Sequence, residues 1–218
     1  MSASNDLYRH ICTELVNVCE SAFSVSFSGY SIKYNVANRS APITYRSSKE
    51  IILNCDLSCA GSIAFQLSHE LCHASIADDV PRNLRWLEET FAVLASYVFP
   101  RKLDCIDPCK YGVFYCRSFK REEAHFQMSP RPLEVHDLEE LESGSGTPNF
   151  NDYKNYYKVT KILLPISREY PDIWKVVPHL CEIPSGFPLS ASLDLLSGLV
   201  PSDIRYVLDV IKGSSLVP

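Results

Sequence analysis

His69, Glu70 and His73, within the run Ser68-His69-Glu70-Leu71-Cys72-His73, are the residues whose types and spacing could do chemistry together. On an α-helix, residues four apart share a face, so both imidazoles can reach one metal ion while the carboxylate beside them reaches a water on that ion. Imidazole nitrogens and a carboxylate suit zinc, and a carboxylate next to an activated water is a general base. The spacing therefore offers metal-assisted hydrolysis, with Zn²⁺ held by His69 and His73 and with Glu70 as the base.

The surrounding residues give this helix two distinct sides. With His69 at 0° and about 100° per residue, Ser62 falls at about 20°, His73 at about 40°, Gln66 at about 60° and Glu70 at about 100°. Ile63, Ala74, Leu67, Leu71 and Ala64 occupy roughly 120° to 220°, which seats the helix on a core and turns the histidines toward a cleft. The plain alternative is a pair of satisfied surface histidines on an ordinary amphipathic helix. Cys72, at about 300°, reads as a small buried residue rather than a redox-sensitive thiol.

A catalytic zinc needs a third protein ligand and an open position. The next helix, RWLEETFAVLASYVF, is apolar nearly all round, and a carboxylate buried there is costly unless paired or metal-bound. It carries Glu88 and Glu89, of which one supplies the ligand. The other is expected to be a helix-start carboxylate favoured by the macrodipole.

These residues need elements to hold them. Residues 6–23 place Leu7, Ile11, Leu15, Val18 and Ala22 at helical spacing. Segments 25–36, 42–46 and 50–54 read as short strands, and helical periodicity resumes from Ala60 and again from about Asn83 to Phe99. The order predicts an α+β fold in which a small sheet lies over the histidine helix and the glutamate helix. Residues 101–142 are polar and irregular, Ser143-Gly144-Ser145-Gly146 forms a flexible loop, and 150–169, 171–177 and 189–212 are helical, separated by prolines. Residues 1–142 thus form the core unit, and 147–218 a helical extension packed on it.

Composition bounds the remaining possibilities. The 218 residues are 46% apolar and 22% charged, an ordinary globular balance. Lys and Arg number 21 against 26 Asp and Glu, a net charge of −5 that disfavours sequence-independent nucleic-acid binding. The longest strongly apolar stretch, Phe91 to Phe99, is too short to span a membrane, and the first residues lack a signal pattern, so a cytoplasmic protein is expected. The nine cysteines are an odd count without a paired Cys-x-x-Cys set and read mostly as reduced core thiols. Cys55/Cys59 and Cys105/Cys109 have a spacing that could hold metal, but neither has a second matching pair nearby.

Lys49 to Pro100 resembles the core of ImmA/IrrE-type metallopeptidases. The resemblance rests on a strand ending in Leu53-Asn54, then Phe65, Leu67, His69, Glu70, Leu71 and His73, then a helix closing on Tyr97-Val98-Phe99-Pro100. It implies a metal-binding Glu eleven residues before that proline, which is Glu89. Trp86-Leu87-Glu88-Glu89-Thr90-Phe91-Ala92 is similar to the Trp-Leu-Asn-Glu-Gly-Phe-Ala segment of zinc aminopeptidases and implies the same ligand. Both families are gluzincins, with a small sheet over two helices.

The resemblance departs from both families in a short spacing, fifteen residues between His73 and Glu89, and it covers about a quarter of the chain. The aminopeptidase Gly-x-Met-Glu-Asn motif is absent, so recognition of a free amino terminus is not implied. The implied function is a zinc metalloendopeptidase acting on a protein or peptide, such as a repressor encoded elsewhere. His125, Tyr153, Tyr156 and Tyr157 are candidates for the oxyanion donor, because they follow the helix pair and can donate. Two other functions use the same residues: a non-haem Fe(II) oxygenase, since two histidines and a carboxylate also form its facial triad, and a non-catalytic zincin-fold sensor.

Overall fold

Helix α1 (Ala3–Phe23) forms where the apolar spacing requires it, with Ile11 and Leu15 fully buried and Leu7, Val18 and Ala22 packed at the edge of the same core. It is the first element of a computed structural model that describes residues 3–35, 41–55, 60–103, 159–160 and 163–213. Three short strands follow, β1 (Ser31–Tyr34), β2 (Ile43–Tyr45) and β3 (Glu50–Leu53), in the order β1-β3-β2. Strand β3 lies in the middle, parallel to β1 and antiparallel to β2. The strands are shorter than the segments 25–36, 42–46 and 50–54 predicted. The first begins only after a turn in which Tyr30 N–H donates to Phe27 C=O, and Gly29 there takes a positive φ of 88°.

Register decides which side chains face the helices. Thr44 pairs with Ile51, which is fully buried, whereas Ile43 and Tyr45 pair with Ile52 and Glu50 on the other face and stay exposed. Strand side chains alternate, so Arg46, two residues beyond Thr44, returns to the helix side. Residues 46–49 turn the chain into β3, with Lys49 N–H donating to Arg46 C=O and Lys49 at a φ of 50°.

Helix α2 (Ala60–Ala74) carries the histidines and packs under the sheet, with Ile63, Ala64, Leu67 and Leu71 fully buried. A tight 3₁₀ turn at Arg82–Leu84 leads into α3 (Arg85–Val98), which lies along α2. A second 3₁₀ turn, Phe99–Lys102, closes this part. The architecture is mixed α+β, with a three-stranded sheet on a helical layer.

Among the later residues, 163–169 form α4. Pro171–Glu182 winds in 3₁₀ turns rather than as the α-helix expected over 171–177. Pro178 lies inside this segment and has no N–H for an α-helical ladder. The span 189–212 divides into α5 (Leu189–Leu199) and α6 (Arg205–Gly213), because Val200 turns extended ahead of Pro201. One hydrophobic cluster runs from Ile11 to Ile211 and joins these late elements to the early ones. At its centre Trp174 packs against Phe23, Phe91 and Phe99, with ring centroids 5.8, 6.2 and 4.5 Å away. No helix among the described residues is long and apolar enough to cross a membrane.

Candidate metal centre

Helices α2 and α3 bring three side chains of metal-ligating type to one point. The Nε2 atoms of His69 and His73 lie 3.2 Å apart, and Glu89 reaches the first with Oε2 and the second with Oε1, each at 3.6 Å. Together, His69, His73 and Glu89 form a group able to hold a metal ion. Their side chains keep 18%, 14% and 19% exposure, so all three are mostly buried without being fully enclosed. The histidines lie on one face of α2 because they are four residues apart, and α3 supplies Glu89 because it runs alongside.

The other nitrogen of the His73 imidazole is taken. His73 Nδ1 lies 2.7 Å from Glu88 Oε1. The backbone of Ala92, one turn further along α3, lies beside the His69 ring and favours its protonated form. With Nδ1 of His73 held by α3, its Nε2 turns toward His69 Nε2 and Glu89, the orientation metal-ligating histidines adopt.

Glu88 departs from the expectation that one of the paired glutamates is simply a helix-start carboxylate. It is buried, at 8% exposure, and pairs with both His73 and the Arg46 guanidinium. Burial pushes its carboxyl up, but the hydrogen bond and charge of His73, then Arg46, outweigh burial and hold it below the usual range. Arg46 also donates from Nε to His73 C=O at 3.0 Å.

Glu70 is likewise buried, at 3% exposure, and its Oε2 accepts from Thr44 Oγ1 at 2.7 Å. The same hydroxyl lies 3.0 Å from Glu70 C=O. Burial raises the Glu70 carboxyl, and His73 and Thr44 offset only part of that rise. Burial raises Glu89 as well. The two histidines are driven apart. Burial and the neighbouring His73 charge take His69 down to about 3, whereas the charges of Glu89, Glu88 and Glu70 overcome burial and carry His73 up to about 9.

Other parts of the scaffold are tied to the same helix. The Gln66 side chain clamps Asn54 at the end of β3, accepting from its N–H at 2.8 Å and donating to its C=O at 2.9 Å. Tyr30 Oη donates to Ala74 C=O at 3.3 Å, so residues of the sheet region satisfy carbonyls in the last turn of α2. Cys72 is fully buried and burial pushes its thiol well up, as a packing residue requires.

The structure thus brings His69, Glu70, His73 and Glu89 together. His125, Tyr153, Tyr156 and Tyr157 lie outside the described residues, as do Cys59, Cys105 and Cys109. Sequence reasoning missed Thr44 and Arg46. Their only signal was an i, i+2 pair in a short strand, which ordinary surface strands share. No family model matches the chain, and neither a curated protein nor a solved structure matches it.

Proposed function

We propose that the chain is a zinc-dependent metalloendopeptidase of the gluzincin type that hydrolyses a peptide bond in a protein substrate. His69, His73 and Glu89 would hold the metal and Glu70 would act as general base. The observation that carries this reading is the convergence of three donors, the His69 and His73 Nε2 atoms 3.2 Å apart and the Glu89 carboxylate with Oε2 3.6 Å from the first and Oε1 3.6 Å from the second. A tetrahedral ion with ligands at about 2.0–2.1 Å places neighbouring donors about 3.3–3.4 Å apart. The 3.2 Å separation of the two Nε2 atoms is close to that spacing. The small sheet over two helices, one bearing His-Glu-x-x-His and the next bearing Glu, supports a zincin-like fold.

When bound, zinc supplies a Lewis acid and lowers the pKa of a coordinated water toward neutrality. The chain's own residues handle the proton. Thr44 occupies Oε2 of Glu70 and leaves Oε1 to take the proton of the attacking water and return it to the leaving amine. Burial of Glu70 brings its basicity closer to that of a group exchanging protons near neutral pH. Strand β2 lies at the sheet edge beside Glu70, and among the described residues only β3 pairs with it. An extended peptide can add to such an edge. The resemblance to ImmA/IrrE-type metallopeptidases directs the substrate to a regulatory protein such as a repressor.

Elemental analysis and cleavage of a proteome-derived peptide library test the reading together. One equivalent of zinc is expected, with cleavage abolished in Glu70→Gln while the zinc remains. Iron in place of zinc, or equal cleavage by Glu70→Gln, would overturn it.

A further inference from the structure

Two acidic residues adjoin on α3, yet they do different things. Glu89 presents its carboxylate to both Nε2 atoms, whereas Glu88, about 100° further round the helix, reaches the opposite nitrogen of His73. Arg46 touches Glu88 and also donates to the His73 carbonyl, so one guanidinium grips both partners of that hydrogen bond. Its planar fork can hold two acceptors at once, which a lysine point charge does poorly.

From this geometry we propose that Glu88 and Arg46 are positioning residues of the metal centre: Glu88 holds the proton of His73 on Nδ1, and Arg46 locks Glu88 in place. His73 Nε2 is thereby kept as the lone-pair nitrogen aimed at the ion. The proposal rests on the metal-centre reading above and adds an outer partner to it. Glu88 is not a substitute ligand, because its Oε1 meets Nδ1 and the guanidinium on the far side of the His73 ring, outside the His69–His73–Glu89 group.

The opposite ends of this chain of contacts lie on different elements. Arg46 comes from the turn after β2, His73 from α2 and Glu88 from α3, so the three contacts join the sheet edge to both helices of the site. Metal affinity should therefore depend on a residue of the turn after β2 that never touches the ion.

The test is titration of Zn²⁺, by competition with a chromophoric chelator, and of Co²⁺, by its visible spectrum, into the metal-free full chain. Glu88→Ala is expected to weaken zinc binding roughly 10- to 100-fold, the usual range for loss of an outer partner of a ligating histidine. Glu88→Gln keeps an acceptor oxygen for Nδ1–H and should lose less, roughly three- to tenfold, with Arg46→Lys in the same range. The cobalt band should keep its position in all three, since the ligands are unchanged. Equal zinc affinity in wild type and Glu88→Ala overturns the proposal while leaving the metal centre standing. A displaced cobalt band in Glu88→Ala also overturns it, by making Glu88 a ligand. If Glu88→Ala does not fold, unchanged affinity in both Glu88→Gln and Arg46→Lys overturns it. A wild-type chain that binds neither ion overturns the metal centre and this proposal together.

Discussion

Thr44 Oγ1 lies 2.7 Å from Glu70 Oε2, a hydrogen bond from the edge strand of the sheet to the carboxylate between the two histidines. A bond to a charged group is worth about 1.5–3 kcal/mol, so its removal should lower turnover by roughly tenfold or more if Glu70 is the base. Thr44→Val is expected to retain zinc and lose kcat, with Thr44→Ser restoring most of it. An unchanged kcat in Thr44→Val would separate this bond from catalysis.

The convergence of His69, His73 and Glu89 predicts that each of them matters for metal content. His69→Ala and Glu89→Ala should each leave the purified chain with well under one equivalent of zinc. Chelation of the wild-type chain should lower its stability, because zinc at a hundred times its Kd adds about 2.7 kcal/mol to folding. Thermal unfolding with and without chelator measures this, and coincident curves would contradict a folded-state zinc site.

Metal removal should also expose a pH dependence. The folded chain holds His73 at about 9 against an ordinary value of 6.5. Between these values the folded state binds more protons than the unfolded state, so the stability that the His73 proton provides is complete below pH 6.5 and is lost as pH rises through 9. The raised Glu70 and Glu89 carboxyls act in the same direction. The melting temperature of the metal-free chain should therefore fall across that window. Zinc on Nε2 competes with that proton, so the zinc-loaded chain should fall less. Parallel profiles for the two forms would contradict the assignment.

Trp174 joins the late segment to the early core through Phe23, Phe91 and Phe99. It is 1% exposed, and truncating a buried aromatic of this size costs about 3–5 kcal/mol. Chemical denaturation of Trp174→Ala should show a loss of that order. A loss below 1 kcal/mol would mean that Pro171–Glu182 packs independently of α1 and α3 in solution.

Much of the site was legible in the sequence because it depends on helical period. His69 and His73 share a face of α2 whatever surrounds them, and the apolar helix after them had few carboxylates to offer. The roles of Glu88 and Glu89 were harder. They are adjacent in the chain, and only the orientation of α3 on α2 decides which carboxylate meets Nε2 and which meets Nδ1. The apolar helix predicted one ligand and one helix-start carboxylate, and the family resemblance pointed to Glu89 as the ligand, but that Glu88 is buried against His73 and Arg46 has no signal in the local sequence.

The periodicity and motif of the sequence determined the helices, the order of elements and the histidine pair, because these follow from interactions a few residues apart. Tertiary structure alone decided that Thr44 meets Glu70 and that Arg46 meets Glu88, 26 and 42 residues away. Those pairings depend on strand register against a helix pair. A one-residue slip of β2 would turn both side chains to the outer face, and no local pattern in Ile43-Thr44-Tyr45-Arg46 records that choice.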